Sequence, residues 1–187
     1  MHTPLAEQPN KRKSHPAKEC AYLSMFVALL IAVQLALSSL PGIELVTVLI
    51  AAFSFAMGAK RGMIAAAAFC VLRQLVFGFF PTVLVLYLAY YPAFAALFGL
   101  LGKKITSPAK GIVAIVATAS LCTALFTVMD NIITPLWYGY SERVLKIYFK
   151  ASLSFMIPQI VSAAVTVGTL FLPLWAVFRK LSRSLTA

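Results

Sequence analysis

Acidic residues are scarce in this chain. Its 187 residues hold 5 Asp+Glu against 16 Lys+Arg, and charged residues of all kinds make up only 11%. A soluble domain carries about a quarter charged residues. The two histidines, His2 and His15, both lie in the N-terminal stretch, so no imidazole is available inside the apolar segments for proton transfer or metal ligation. The three cysteines, Cys20, Cys70 and Cys122, are far apart and form no CxxC. They read as buried thiols, with neither a disulfide framework nor a metal site. There is no GxxxxGK[ST] loop for nucleotide phosphates and no HExxH zinc motif. An enzyme is not expected, no cofactor is implied, and any ATP hydrolysis has to come from other subunits.

What is abundant is apolar: 61% of residues are hydrophobic. Surface-to-volume scaling gives a chain this short too little interior to hide them in water. The formal net charge of +11 would suggest nucleic acid in a soluble protein. Here it reads as Lys and Arg holding loops on one side of a bilayer. The alternation expected of membrane β-strands is missing from the apolar runs. The fold class expected is therefore an all-α integral membrane protein.

The runs are separated by short breaks. Residues 1–19 form a polar tail with Pro4, Pro9, Pro16 and the cluster Lys11-Arg12-Lys13, read as disordered and cytoplasmic; it is too polar to open a signal peptide. Six apolar segments follow, at about residues 20–40, 44–58, 63–79, 82–101, 111–133 and 149–178. The breaks are Pro41-Gly42, Lys60-Arg61-Gly62, Phe80-Pro81, the basic loop Lys103 to Lys110, and an outer loop Pro135 to Lys150. A bilayer-spanning helix needs about 20 apolar residues. Segment two falls short of that and reads as tilted, broken or partly inserted; segment six is long enough to stand out of the membrane. Six transmembrane helices in a 20–183 membrane domain, with a short C-terminal tail at 184–187, is the count adopted. With the N-terminus inside, the inner face carries twelve Lys or Arg and the outer face three, Arg143, Lys146 and Lys150. The positive-inside rule then places both termini in the cytoplasm of a cell-membrane protein.

Polar groups inside membrane segments are costly and usually face a cavity or a partner. Segment five carries Ser120, Thr123, Thr127, Asp130, Asn131 and Thr134 at helical spacing on one face. Segment six carries Ser152, Gln159, Ser162, Thr166 and Thr169, and segment four carries Tyr87, Tyr90 and Tyr91. Trp137 and Tyr138 fall in the outer loop. The topology brings these to one depth, so Tyr87, Tyr90, Tyr91, Thr127, Asp130, Asn131, Trp137, Tyr138, Gln159 and Ser162 are the candidate substrate-binding residues. The plainer readings stand beside this one: an interfacial aromatic belt for Trp137 and Tyr138, back-bonded hydroxyls, and ordinary packing for the tyrosines. Glu44 and Arg73 are read as a structural ion pair, with Arg73 as a contact to an anionic ligand as the alternative. Gln34 and Gln74 are candidates for bonds between helices. Ala28 and Ala32 put small residues one turn apart on a face that another helix could approach closely.

The six-segment build, the AxxxA at Ala28 and Ala32 and the stretch LSSLPGIELVTVLIAAFSFAMG from Leu37 to Gly58 together resemble the substrate-binding S components of energy-coupling factor (ECF) vitamin transporters, over about Ala21 to Arg183. The resemblance implies a bacterial plasma-membrane protein that captures a vitamin or related micronutrient from outside. It implies partners as well: a transmembrane scaffold subunit packing on Ala28 and Ala32, and two cytoplasmic ATPases. The second segment is most like the group that includes cobalamin-type members, which implies cobalamin. No ligand motif of the thiamin, biotin or riboflavin types is present, and a pyrimidine, pantothenate or pyridoxine remains open. Outside this family, a small secondary transporter or a structural membrane protein without a small ligand would share the composition. No similarity between residues 20–101 and 111–178 marks the inverted repeats common in secondary transporters.

Overall fold

The computed structural model describes residues 16–39 and 45–186. Among them every regular element is helical: α1 Pro16–Ala36, α2 Val46–Met57, α3 Ala59–Phe77, α4 Pro81–Lys104, α5 Ile112–Tyr138 and α6 Glu142–Thr186. α1, α4, α5 and α6 are long and apolar enough to cross a membrane.

The shortest helix is the centre of the bundle. α2 has 12 residues, and all but Ala56 are buried. A helix that is apolar all round has no face to give to water or lipid and is covered on every side. Here α1, α3, α4 and α6 surround it. At 1.5 Å per residue it is about 18 Å long, well short of the ~30 Å hydrocarbon layer. The expected tilted or partly inserted segment is thus the core helix, sheltered by longer neighbours.

Packing around α2 is aromatic on one side and close on the other. Phe26 of α1 stacks on Phe53 at 3.9 Å, and Phe178 of α6 meets both rings edge-on at 5.4 Å. Phe55 meets Phe171 edge-on at 5.3 Å. In a bilayer such contacts act by close packing, because lipid tails are as apolar as the core. α4 approaches closely through glycines. A Cβ at Gly99 would lie 2.3 Å from the Ala59 backbone, and one at Gly102 would lie 2.3 Å from the Phe55 carbonyl oxygen. Ala95 and Gly99 are accordingly an internal helix contact.

The boundaries differ from the sequence expectation in four places. The α2–α3 break is Gly58 alone, at φ 91° and ψ 162°, so Lys60-Arg61-Gly62 opens α3 rather than separating segments. Gly58 supplies a backbone conformation that other residues rarely adopt. The N-terminal tail gives way to helix at Pro16, and Glu19 at its start pairs with Arg61 Nε at 2.7 Å. The long outer loop is not there: only residues 139–141 lie between α5 and α6. Pro135 stays inside α5, which ends on left-handed Gly139 with the Tyr140 N–H donating to the Pro135 carbonyl at 3.1 Å. Glu142 then starts α6 at the favourable end of its dipole and pairs with Lys146 one turn on. Finally, α6 continues to Thr186 through the residues expected to form a C-terminal tail.

Candidate functional site

The two ends of the bundle differ in chemistry. One end gathers Lys60, Arg61, Lys103, Lys104, Arg179, Lys180 and Arg183, from the start of α3, the end of α4 and the end of α6. The opposite end is formed by the last turns of α1 and α3, the first turns of α2 and α4, and the first half of α6. A cavity of about 340 Å³ opens there, lined by Gln34, Leu37, Ser38, Leu45, Val46, Arg73, Phe77, Tyr87, Tyr91 and Gln159.

Among the described residues, Arg73 is the one cation in this lining. Its Nε donates to Gln34 Oε1 at 2.9 Å. Its guanidinium lies 4.8 Å from the centre of the Phe77 ring and 4.7 Å from that of Tyr87. Contact with ring faces offsets part of the cost of holding this charge away from water. The buried Nη1 has no hydrogen-bond partner among the described residues. The expected partner, Glu44, lies outside the described residues, and the partner observed is Gln34. Gln74, one residue further along α3, secures the turn into α4 by accepting from the Phe80 N–H at 3.1 Å.

A second cavity of about 240 Å³ lies between α5 and α6, lined by Phe126, Thr127, Asp130, Tyr148, Ala151, Ser152, Phe155 and Gln159. The Tyr148 hydroxyl donates to Asp130 Oδ2 at 2.5 Å, and Thr134 donates to Oδ1 at 2.7 Å. Thr127 Oγ1 donates to Gln159 Oε1 at 3.4 Å. Gln159 therefore stands in the walls of both cavities. Ser152 Oγ in this lining, and Asn131 Oδ1 nearby on α5, are buried without a hydrogen-bond partner among the described residues.

The ten expected site residues divide into three groups. Tyr87, Tyr91 and Gln159 line the first cavity; Thr127, Asp130 and Gln159 line the second. Tyr90 and Asn131 are buried beside these walls, Tyr90 against Tyr91, Phe94 and Phe126. Trp137 and Tyr138 are exposed on the last turn of α5 and line neither cavity, because the loop that was to carry them is helix. Ser162 is half-buried further down α6 and also lines neither. Arg73, Gln34 and Tyr148 enter the walls from outside that set. Tyr148 could have been found had the helical spacing of Leu145, Tyr148, Ser152 and Gln159 been extended back from segment six.

The core residues of α1 are Phe26, Val27 and Leu30, and Phe26 also reaches the groove that holds Ala28 and Ala32. These two alanines are exposed and line that apolar groove, of about 600 Å³, with Tyr22, Met25, Leu29, Phe53, Phe178 and Leu181.

No protein-family model, curated protein or solved structure matches this chain.

Proposed function

We propose that this protein is the substrate-capturing membrane subunit of an ATP-driven micronutrient importer of the energy-coupling factor type. The observation that carries the reading is a polar, aromatic-walled cavity at the end of the bundle opposite the basic residues. By the positive-inside rule that end faces outward. Between the cavity and the basic end lie the packed rings of Phe26, Phe53 and Phe178 and the close contact of Gly99 with Ala59. A site open at one end above a packed core suits capture followed by movement of the whole subunit. A channel or rocking transporter would instead use a path between repeats.

In this reading the groove over Ala28 and Ala32 receives the transmembrane scaffold subunit, and two cytoplasmic ATPases supply the energy. A cavity of about 340 Å³ is at the lower end of small-molecule sites, roughly 300–1,000 Å³. That favours a compact micronutrient over cobalamin, whose macrocycle and nucleotide arm it would not enclose.

The test is to purify the protein in detergent, identify co-purified small molecules by mass spectrometry, and capture partners from its own membranes. One micronutrient bound together with a nucleotide-hydrolysing partner is the expected result. Ala28→Trp and Ala32→Trp should abolish uptake in cells while the purified variants still bind ligand. Binding lost with uptake would remove the groove from the docking role, and no partner with no ligand would defeat the reading as a whole.

A further inference from the structure

The chain has five carboxylate side chains, Glu7, Glu19, Glu44, Asp130 and Glu142. Glu19 is paired with Arg61 and Glu142 with Lys146. Asp130 accepts from Tyr148 and Thr134 in the other cavity. Arg73 makes no ion pair with any carboxylate among the described residues, yet it sits in the wall of the 340 Å³ cavity with Nη1 buried and unbonded. A buried guanidinium edge without an acceptor is costly. Gln34 fixes Nε, and the rings of Phe77 and Tyr87 lie against the guanidinium. Among the described residues the fork is held by neutral groups, which leave its charge uncancelled.

The rest of the lining narrows what could complete it. Gln34, Gln159 and Ser38 are neutral polar groups, and Leu37, Leu45 and Val46 form an apolar wall. With a single positive charge in the described lining, a monoanion is neutralised, whereas a dianionic phosphate keeps one charge uncompensated in a confined space. An Arg fork matches the planar geometry of a carboxylate. We infer that this cavity binds a small organic monocarboxylate, its acid group on the Arg73 guanidinium and its apolar body against Leu37, Leu45 and Val46. Gln159, also in the lining, can bond a polar group elsewhere on the ligand. The inference rests on the proposal that this cavity is the capture site and narrows its substrate class.

The experiment compares acids with their uncharged amide or alcohol counterparts on the detergent-purified full chain. The probes are nicotinate with nicotinamide, benzoate with benzamide, biotin with biotinamide and pantothenate with panthenol, beside thiamin, pyridoxine and cobalamin. Binding is read by thermal shift and then by calorimetry. At least one acid should bind about tenfold or more tightly than its neutral partner, as expected for a charge-assisted bond made in a confined site. Arg73→Gln should remove that difference, and Arg73→Lys should retain part of it. The wild-type acid-to-neutral ratio needs no variant, so it stands even if Arg73→Gln does not fold.

Equal binding of acid and neutral partner overturns the inference, as does failure of every acid to bind. In either case, binding of a neutral or cationic vitamin leaves the capture proposal standing. An acid that binds only in Glu44→Gln also overturns it, because Glu44 would then be the resident partner of Arg73. No ligand from the whole set would count against both the inference and the capture proposal.

Discussion

Tyr148→Phe isolates the bond that ties the first third of α6 to α5. At 1.5 Å per residue the 45 residues of α6 measure about 68 Å, more than twice the hydrocarbon thickness. From Glu142 to Gln159 the face turned toward α5 is narrow, with Leu145, Tyr148, Ser152, Met156 and Gln159 half-buried and most of the others exposed. Within that face, Tyr148 to Asp130 at 2.5 Å is a hydrogen bond between helices to a carboxylate. Removing the hydroxyl keeps the ring, which also meets Tyr140 edge-on at 5.6 Å. Hydrogen bonds to charged groups are worth about 1.5–3 kcal/mol, and both partners here are only half-buried, so about 1–2 kcal/mol is expected. That is a factor of roughly 5–30 in a local opening equilibrium. Hydrogen exchange followed by mass spectrometry should show residues 142–157 exchanging faster by that factor, with α2 unchanged. Thr134→Ala is the comparison: its bond to Asp130 lies within α5, and although its hydroxyl also reaches Tyr148, the Tyr148–Asp130 bond is kept, so a smaller acceleration is expected. Unchanged exchange in Tyr148→Phe, or equal acceleration by both variants, would refute the assignment of this bond as the tie.

Glycine packing gives a second expectation. Gly99→Ala and Gly102→Ala place a methyl against backbone at 2.3 Å and should each destabilise by about 1–3 kcal/mol. Gly168→Ala meets only Val116 at 3.8 Å and should be neutral or slightly stabilising, with thermal melting in detergent as the readout. Orientation is checked by labelling in a background where Cys20, Cys70 and Cys122 are replaced by Ala. Ser141→Cys should react with an impermeant maleimide on intact cells, and Ser107→Cys only after permeabilisation; the reverse pattern would invert the topology.

Much of the helical framework is legible along the chain because each apolar run must satisfy its own backbone bonds within a bilayer. The run at 82–101 lies within α4, that at 111–133 lies within α5 but for its first residue, and the basic clusters among the described residues fall together at one end. The scarcity of carboxylates also follows from composition; the pairing it suggested for Arg73, with Glu44, falls outside the described residues. Other features depended on partners that local sequence does not show. Hydropathy marks α2 as short, but only the surrounding helices make it the core. Pro135 and the charges after Glu142 read as a loop. A proline costs one backbone bond, which a helix tolerates when its neighbours hold it, and Glu142 with Lys146 is as good a helix start as a loop. That difference moved Trp137 and Tyr138 out to the surface and brought Tyr148 over Asp130. Arg73 shows the same division. Its sequence placed a cation in an apolar helix that required a partner; tertiary structure chose Gln34 and the faces of Phe77 and Tyr87, because those are the groups that the crossing of α1, α3 and α4 brings within reach.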